Sequence, residues 1–164
     1  MDGDTDWLAA FRPRLSRKSH AMMFDYWCAI APPGGLPGRQ HFDPVEVPAV
    51  LPWLTLVDVV RTGPTPRYRY RLIGSGVTAR VGRDDTGSWL DEVYDAVYLD
   101  ALFAAYAEVL GTKRPHLSSY RFPTEERKFV RYDRLILPLA SDSATVDMLI
   151  LVLVFTDKPE KSRH

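Results

Sequence analysis

A dinucleotide-binding turn is the first chemistry that the spacing of glycines in this chain could support. Gly74, Gly76 and Ala79 fit the pattern G-x-G-x-x-G/A, in which glycines let the backbone approach a pyrophosphate. That site also needs a buried parallel strand before the first glycine and a long helix after the second. Here the strand would carry Arg69 and Arg71, and the helix would end at the next glycine. The sequence therefore argues against dinucleotide binding.

Cysteine, histidine and serine residues offer little for metal or nucleophilic chemistry. Cys28 is the only cysteine, so the chain can form neither an internal disulfide nor a zinc site with several thiolates. His20, His41 and His164 are far apart and lack the spacing of metal ligands. Ser118 and its neighbouring serine lack the strained turn of a hydrolase nucleophile. We therefore predict no catalytic residue and no metal site, and we expect that the protein is not an enzyme.

A group of aromatic and arginine side chains is the best candidate for binding. A pocket lined by apolar and aromatic side chains with one or two fixed charges suits a small, anionic ligand. The alternative is that the aromatic side chains are core and that a strand arginine faces solvent or pairs with an acid such as Asp58. The candidate ligand-binding residues are Tyr70, Arg71, Trp89, Tyr94, Tyr98, Phe103, Tyr120 and Arg134.

Composition limits the classes of protein to which the chain can belong. It has 164 residues, 46% hydrophobic and 26% charged, which is enough to bury the core of one domain. Its 21 basic and 21 acidic residues give no net charge, which argues against a nucleic-acid partner. Its longest apolar run, Met148–Phe155, is too short to span a bilayer, and its acidic N-terminus is unlike a signal peptide. We expect a cytoplasmic protein that does not interact with membranes.

Residues 1–40 form a predicted N-terminal extension that consists of a helix and a linker. The helix carries a wide apolar stripe at helical spacing and ends at the cluster Pro32–Gly38. The stripe either joins two copies of the chain in a homodimer, which we expect, or covers a face of its own domain. Its candidate dimer residues are Met22, Met23, Tyr26, Trp27 and Ile30.

Residues 41–157 form the predicted main domain, and residues 158–164 a disordered tail. Its helices lie together in sequence, so they can cover one face of an antiparallel sheet in an α+β fold. The last strand is so apolar that it should lie in the middle of that sheet. A Gly111 C-cap ends the longest helix, and a charged turn, PTEERK, joins two strands. The predicted elements are a helix Val45–Leu51, strands Leu54–Arg61 and Tyr68–Ile73, helices Ser75–Val81 and Ala96–Leu110, and strands His116–Phe122, Phe129–Leu139 and Val146–Phe155.

This element order, with five short motifs, resembles the PAS sensory domain. The match is closest to a PAS-like family of short bacterial proteins that is common in alphaproteobacteria. It covers roughly residues 42–156. The motifs are Phe42-Asp43-Pro44, Leu51-Pro52, Tyr70-Arg71-Leu72-Ile73-Gly74, Gly82-Arg83-Asp84 with Thr86-Gly87, and Arg134-Leu135-Ile136-Leu137-Pro138-Leu139.

The resemblance implies a five-stranded antiparallel sheet whose inner face and helices enclose a pocket. PAS domains bind small ligands, cofactors or partner proteins, often with a flanking N-terminal helix that dimerises. The cofactor is unknown. Haem is disfavoured because Ala96–Leu110 contains no histidine, and photoactive flavin because Cys28 lies outside the helices over the pocket. We expect a sensory or signalling module with a protein partner. The alternatives are a ligand-free scaffold or adaptor and an isomerase- or dehydratase-like enzyme.

Overall fold

A five-stranded antiparallel sheet forms the centre of the protein. The computed structural model describes residues 6–123 and 129–156. The last strand in sequence lies in the middle of the sheet, and every neighbouring pair runs antiparallel, which confirms the prediction. In chain order the strands are β1 (Leu54–Val60), β2 (Arg67–Ile73), β3 (His116–Pro123), β4 (Phe129–Leu139) and β5 (Met148–Phe155), and their order across the sheet is β2-β1-β5-β4-β3.

Helices flank the sheet, some before β1 and some between β2 and β3. The helix Ser75–Val81 agrees with the prediction and ends at Gly82, which has a φ of +89°. Asp95 caps the longest helix, because its carboxylate accepts a hydrogen bond from the backbone N–H of Tyr98 at 2.9 Å. The α-helices are α1 (Asp6–Phe11), α2 (Lys18–Ile30), α3 (Ser75–Val81), α4 (Leu90–Val93) and α5 (Ala96–Thr112), and one-turn 3-10 helices occur at Arg12–Arg14, Arg39–His41, Pro44–Glu46 and Leu51–Trp53.

The outer face of the sheet, which we define by Leu54 on β1 and Ile150 on β5, is covered by α1 and α2. Met23 and Trp27 of α2 are buried in this layer, and the Trp27 indole donates a hydrogen bond to a β4 carbonyl at 2.8 Å. His20 is also buried there, with Nε2 2.9 Å from a β5 carbonyl oxygen. Burial lowers the pKa of His20 below its usual value, so the ring stays neutral at neutral pH.

The inner face of the sheet, which carries Val57 and Leu149, packs against α4 and α5. Leu102 and Tyr106 of α5 are buried in this second layer. Each buried side chain of this size contributes about 1.5–3 kcal/mol. The β2 sequence RYRYRLI turns tyrosines to this face and arginines to the other, because side chains alternate along a strand.

Two predictions about helices are wrong. In place of an α-helix at Val45–Leu51 the structure has one-turn 3-10 helices at Pro44–Glu46 and Leu51–Trp53, and Asp43 caps the first of them. Pro48, in the middle of that segment, has no N–H and cannot continue a helix. Gly111 is not the C-cap of α5, because the helix runs to Thr112 and the left-handed residue is Lys113, with a φ of +58°.

Two further predictions fall on residues that the structure does not describe. Residues 124–128 of the predicted turn PTEERK and the predicted tail 158–164 lie outside the described residues. The domain boundary at residue 41 stays a prediction.

Gly74 and Gly76 bring the start of α3 against the 3-10 helix Leu51–Trp53. A Cβ on Gly74 would lie 2.4 Å from the Pro52 carbonyl oxygen, and one on Gly76 would lie 2.8 Å from the Trp53 ring. Only glycine fits at such distances. The dinucleotide-like spacing therefore reflects close packing of the start of α3 on the 3-10 helix Leu51–Trp53. The two strands next to these segments in sequence, β1 and β2, pair antiparallel.

Candidate functional site

A small cavity lies between the inner face of the sheet and helices α3 and α5. Its volume, counted as the space open to the centres of water molecules, is about 50 Å³, and one water needs roughly 10–15 Å³ of such space. The cavity therefore has room for a few waters or a small molecule. Its lining consists of Thr55, Tyr70, Ile73, Val77, Val81, Arg83, Asp85, Tyr94, Tyr98, Leu102, Tyr106, Tyr132, Arg134, Leu151, Leu153 and Phe155.

Two hydrogen-bonded tyrosine pairs join the sheet to the helices around this cavity. The hydroxyl groups of Tyr70 and Tyr94 are 2.7 Å apart, and those of Tyr98 and Tyr132 are 2.9 Å apart. The rings of Tyr94 and Tyr98 lie edge to face with centroids 4.8 Å apart. Burial raises the pKa of Tyr94 to about 12 and raises those of Tyr70 and Tyr98 well above the usual value. All these phenols are therefore protonated at neutral pH.

Arg134, on β4, is the largest fully buried side chain among the described residues, with 1% of its surface exposed. Its guanidinium lies over the Tyr120 ring, 4.2 Å from the centroid, and 5.4 Å from the centroid of Tyr106. Its Nε and Nη2 atoms have no hydrogen-bond partner within residues 6–123 and 129–156. Burial lowers the pKa of Arg134, but the surrounding tyrosines, Tyr106 first, raise it by more. The cavity therefore contains a buried positive charge.

Asp85 brings a carboxylate to the same cavity. Its Oδ2 atom accepts a hydrogen bond from Arg83 Nε at 2.8 Å, and the Arg83 guanidinium lies 5.7 Å from the centroid of the Tyr94 ring. This carboxylate therefore forms an ion pair with a neighbouring residue of its own loop.

Four of the eight candidate ligand-binding residues line the cavity. These are Tyr70, Tyr94, Tyr98 and Arg134. A role for them in ligand binding stays a prediction.

The other four candidates lie elsewhere. Arg71 is on the outer side of β2, where its Nε donates to Asp58 at 3.1 Å, the alternative that the sequence left open. Trp89 lies beside the edge of β2, under the guanidinium of Arg67. Phe103 packs against the tyrosines of the inner core. The ring of Tyr120 lies under the Arg134 guanidinium and stacks on Tyr132.

The prediction missed Tyr106, Tyr132, Arg83 and Asp85. The first two could have been found from periodicity. Tyr106 lies eight residues after Tyr98, so both occupy one face of α5, and Tyr132 lies two residues before Arg134, so both lie on one face of β4. The positions of Arg83 and Asp85 depend on how their loop folds back over the sheet.

The apolar stripe of α2 packs mainly on its own domain. Met23 and Trp27 are buried against the sheet, which corrects their assignment as dimer contacts. Tyr26 and Ile30 are partly buried in the same layer. Met22, at 38% exposed, is the most exposed member of the stripe. Dimerisation through this helix stays a prediction.

Residues 6–123 and 129–156 contain no group of three or more histidine, cysteine, aspartate or glutamate side chains that could hold a metal ion. In the same ranges, no helix is long and apolar enough to cross a membrane. Cys28 is partly buried, and burial together with the charge of Asp25 raises the pKa of its thiol to about 11. This thiol therefore stays protonated at neutral pH and is a poor nucleophile.

Comparison with known proteins identifies the family. A family model described as "PAS domain" matches residues 15–154, and the chain belongs to this family. The match includes α2. No curated protein matches the chain. PAS domains are in general sensory modules, and they are not generally enzymes.

The search of solved structures found similar proteins at low sequence identity. The LOV protein of Rhodobacter sphaeroides is 15% identical, with a TM-score of 0.51 over 70% of this chain and 67% of that one. A sensory box histidine kinase/response regulator from Burkholderia thailandensis is 13% identical, with a TM-score of 0.45 over 70% of this chain and 85% of that one. The PAS-B domain of Drosophila melanogaster Cycle is 13% identical, with a TM-score of 0.46 over 62% of this chain and 99% of that one.

Proposed function

We propose that this PAS domain is a cytoplasmic sensory module that binds a small molecule between the inner face of its sheet and helices α3 and α5. The observation that carries the proposal is the cavity itself, where tyrosine hydroxyls and the buried charge of Arg134 meet apolar side chains. Apolar walls with a few fixed polar groups are typical of small-molecule sites. The binding event would be passed on through contacts with a signalling protein or a second copy of the chain.

The two tyrosine pairs join the helix layer to the sheet around the cavity. Tyr98 on α5 is bonded to Tyr132 on β4, and Tyr94, between α4 and α5, is bonded to Tyr70 on β2. A molecule larger than a few waters must displace or rotate some of these side chains, because the cavity offers only about 50 Å³ to water centres. Ligand binding would therefore shift the helices relative to the sheet, which is how the bound state becomes visible to a partner.

A ligand-free scaffold or adaptor is the second candidate function. The observation that favours it is the same small volume, well below the roughly 300–1,000 Å³ of typical ligand pockets. An isomerase- or dehydratase-like enzyme would need an inward-facing acid or base. Among the described residues the only carboxylate that lines the cavity is Asp85, and it is paired with Arg83.

Native mass spectrometry of the full chain, purified from its own host, separates the first two candidates. A sensory module should carry a small molecule of constant mass that disappears after denaturation and refolding. The refolded protein should also have a lower melting temperature. Adding back the small molecules released on denaturation should restore the original melting temperature. A single ligand-free mass from the host, with the same melting temperature before and after refolding, would support the scaffold instead.

A further inference from the structure

We propose that the molecule bound in the cavity is a short-chain carboxylate, held by a two-pronged hydrogen bond from Nε and Nη2 of Arg134. This inference rests on the proposed function and names the ligand class of the same site. Its apolar tail would lie against Val77, Leu151 and Leu153, which line the cavity together with Arg134.

The first observation is a set of buried polar atoms without partners around Arg134. Its Nε and Nη2 atoms, the hydroxyl of Tyr106 and the hydroxyl of Ser118 all have none within the described ranges. Tyr106 lines the cavity together with Arg134, and Ser118 lies directly opposite Arg134 in the β3–β4 register. Side chains at opposite positions of paired strands share a face of the sheet. Arginine can only donate, and hydroxyl groups can donate too, so the group matches an acceptor-only ligand.

The second observation is how this chain uses the same edge of arginine elsewhere. Nε and Nη2 of Arg12 hold the two oxygens of Asp25 at 2.8 and 3.0 Å. Nε and Nη2 of Arg67 hold the two oxygens of Asp91, both at 2.8 Å. These pairs are exposed, and their carboxylates come from the chain. At Arg134 the described part of the chain supplies no carboxylate within 4.0 Å, which leaves this edge open to the carboxylate of a ligand.

Electrostatics also favours an anion. A guanidinium is always charged, and a charge removed from water is stable only when it is paired or well hydrogen-bonded. The rings of Tyr120 and Tyr106 offer their π faces to Arg134, which compensates in part for the lost hydration. They cannot accept the in-plane N–H bonds of the guanidinium, whereas a planar carboxylate accepts two of them in parallel.

Size and charge select among anions. The cavity offers about 50 Å³ to water centres, which suits acids of about two to four carbons. Arg83, the other cationic residue in the lining, already pairs with Asp85, so one net positive charge faces the ligand. Dicarboxylates and phosphates would bury a second negative charge without a partner. The apolar part of the lining favours propionate over nitrate or formate.

Calorimetric titration and thermal unfolding of the full chain with sodium propionate test the inference. The reference salts are sodium chloride, nitrate and phosphate at equal ionic strength. We expect saturable binding of propionate and a higher melting temperature than in any reference salt. Arg134→Lys keeps the positive charge but loses the two parallel N–H donors, and Arg134→Met loses both the charge and the donors. Each variant should bind propionate at least about tenfold more weakly.

Two controls keep the result interpretable. Arg71→Lys changes an arginine on the outer side of β2 and should bind propionate like the unmodified chain. Tyr106→Phe removes one hydroxyl, leaves the ring in place and should weaken binding by roughly three- to tenfold, even if the Arg134 variants fail to fold. Stabilisation by propionate that equals that by chloride, or equal binding by the unmodified chain and Arg134→Lys, would overturn the inference. Recovery of a neutral molecule from the host protein would also overturn it, while the sensory function would stand.

Discussion

Gly74 and Gly76 show that a local pattern can have more than one physical cause. Their spacing matches a phosphate-binding turn, yet both lie where the start of α3 touches the backbone of the 3-10 helix before β1. The antiparallel pairing of β2 with β1 and the seven residues of α3 leave no place for a dinucleotide. At the scale of single residues, these glycines position one wall of the cavity.

The substitution Gly74→Ala should destabilise the protein by about 1–3 kcal/mol, because the new methyl group must displace backbone atoms of residues 51 and 52. Urea unfolding measures this change. The matched control is Gly63→Ala, since a Cβ on Gly63 would meet nothing within 4 Å. The control should change stability by no more than about 0.5–1 kcal/mol. Equal stabilities of the two variants would contradict the packing role of Gly74.

Arg134 is the residue for which sequence and structure differ most in what they reveal. Its type and strand position made it one of eight candidates. Its burial, its two aromatic neighbours and its unpartnered nitrogen atoms make it the centre of the proposed site. None of these three properties can be read from the residue and its sequence neighbours.

At the scale of elements, α2 packs against the outer face of the sheet. Its apolar stripe allowed both a dimer interface and a cover for the sheet, since a helix pattern does not name its partner. The structure packs it on the outer face through Met23, Trp27 and the buried His20. Any dimer contact by this helix must therefore use its exposed side, where Met22 lies.

The paired substitutions Met22→Glu and Met23→Glu test this arrangement. Met23 is fully buried against the sheet, so a carboxylate there should lower the free energy of unfolding by about 3–5 kcal/mol. Met22→Glu should change it by less than about 0.5 kcal/mol, because Met22 is exposed. Chemical denaturation of both variants gives the comparison. Similar stabilities would mean that α2 does not rest on the sheet in solution.

Sedimentation of the Met22→Glu variant adds a test of the proposed homodimer. A dimer that uses the exposed side of α2 should dissociate in this variant, because two carboxylates would face each other across the interface. An unchanged dimer would place the contact on another surface. A monomeric unmodified chain would rule out dimerisation altogether.

At the scale of the whole molecule, the inner layer depends on tyrosines that remain protonated. Burial raises the pKa values of Tyr70, Tyr94, Tyr98, Tyr106 and Tyr132 above the usual value of 10.0. These phenols keep their protons in the folded chain at pH values where the unfolded chain loses them. Their contribution to stability is therefore complete below about pH 10 and is lost as the pH rises toward the folded pKa values.

Alkaline titration should accordingly show tyrosine ionisation and unfolding together. We expect phenolate absorbance near 295 nm to rise in one steep step above pH 10, accompanied by loss of helical circular dichroism. The control is the chain unfolded in guanidinium chloride, whose tyrosines should titrate gradually around pH 10. A gradual titration of the native chain near pH 10, with its circular dichroism unchanged, would contradict the buried tyrosine layer.

The fold itself was largely available from the sequence. The apolar run of β5 indicated a central strand, and the grouped helices indicated a cover on one face of an antiparallel sheet. These are consequences of chain order and of side-chain periodicity, which are local properties. Because side chains alternate along a strand, Tyr70 and Arg71 lie on opposite faces of β2. The sequence alone therefore argues against placing both side chains in one pocket.

Tertiary structure alone determined which residues meet. Arg134 and Tyr106 come from a strand and a helix that are separated by β3, and only their packing leaves both with unpartnered polar atoms beside one cavity. The surface on which α2 rests was likewise fixed by the match between its apolar stripe and an uncovered sheet face. Sequence determines the period and order of elements because these depend on neighbouring residues. Burial, pairing and cavity volume depend on contacts between residues distant in the chain, so only the folded structure determines them.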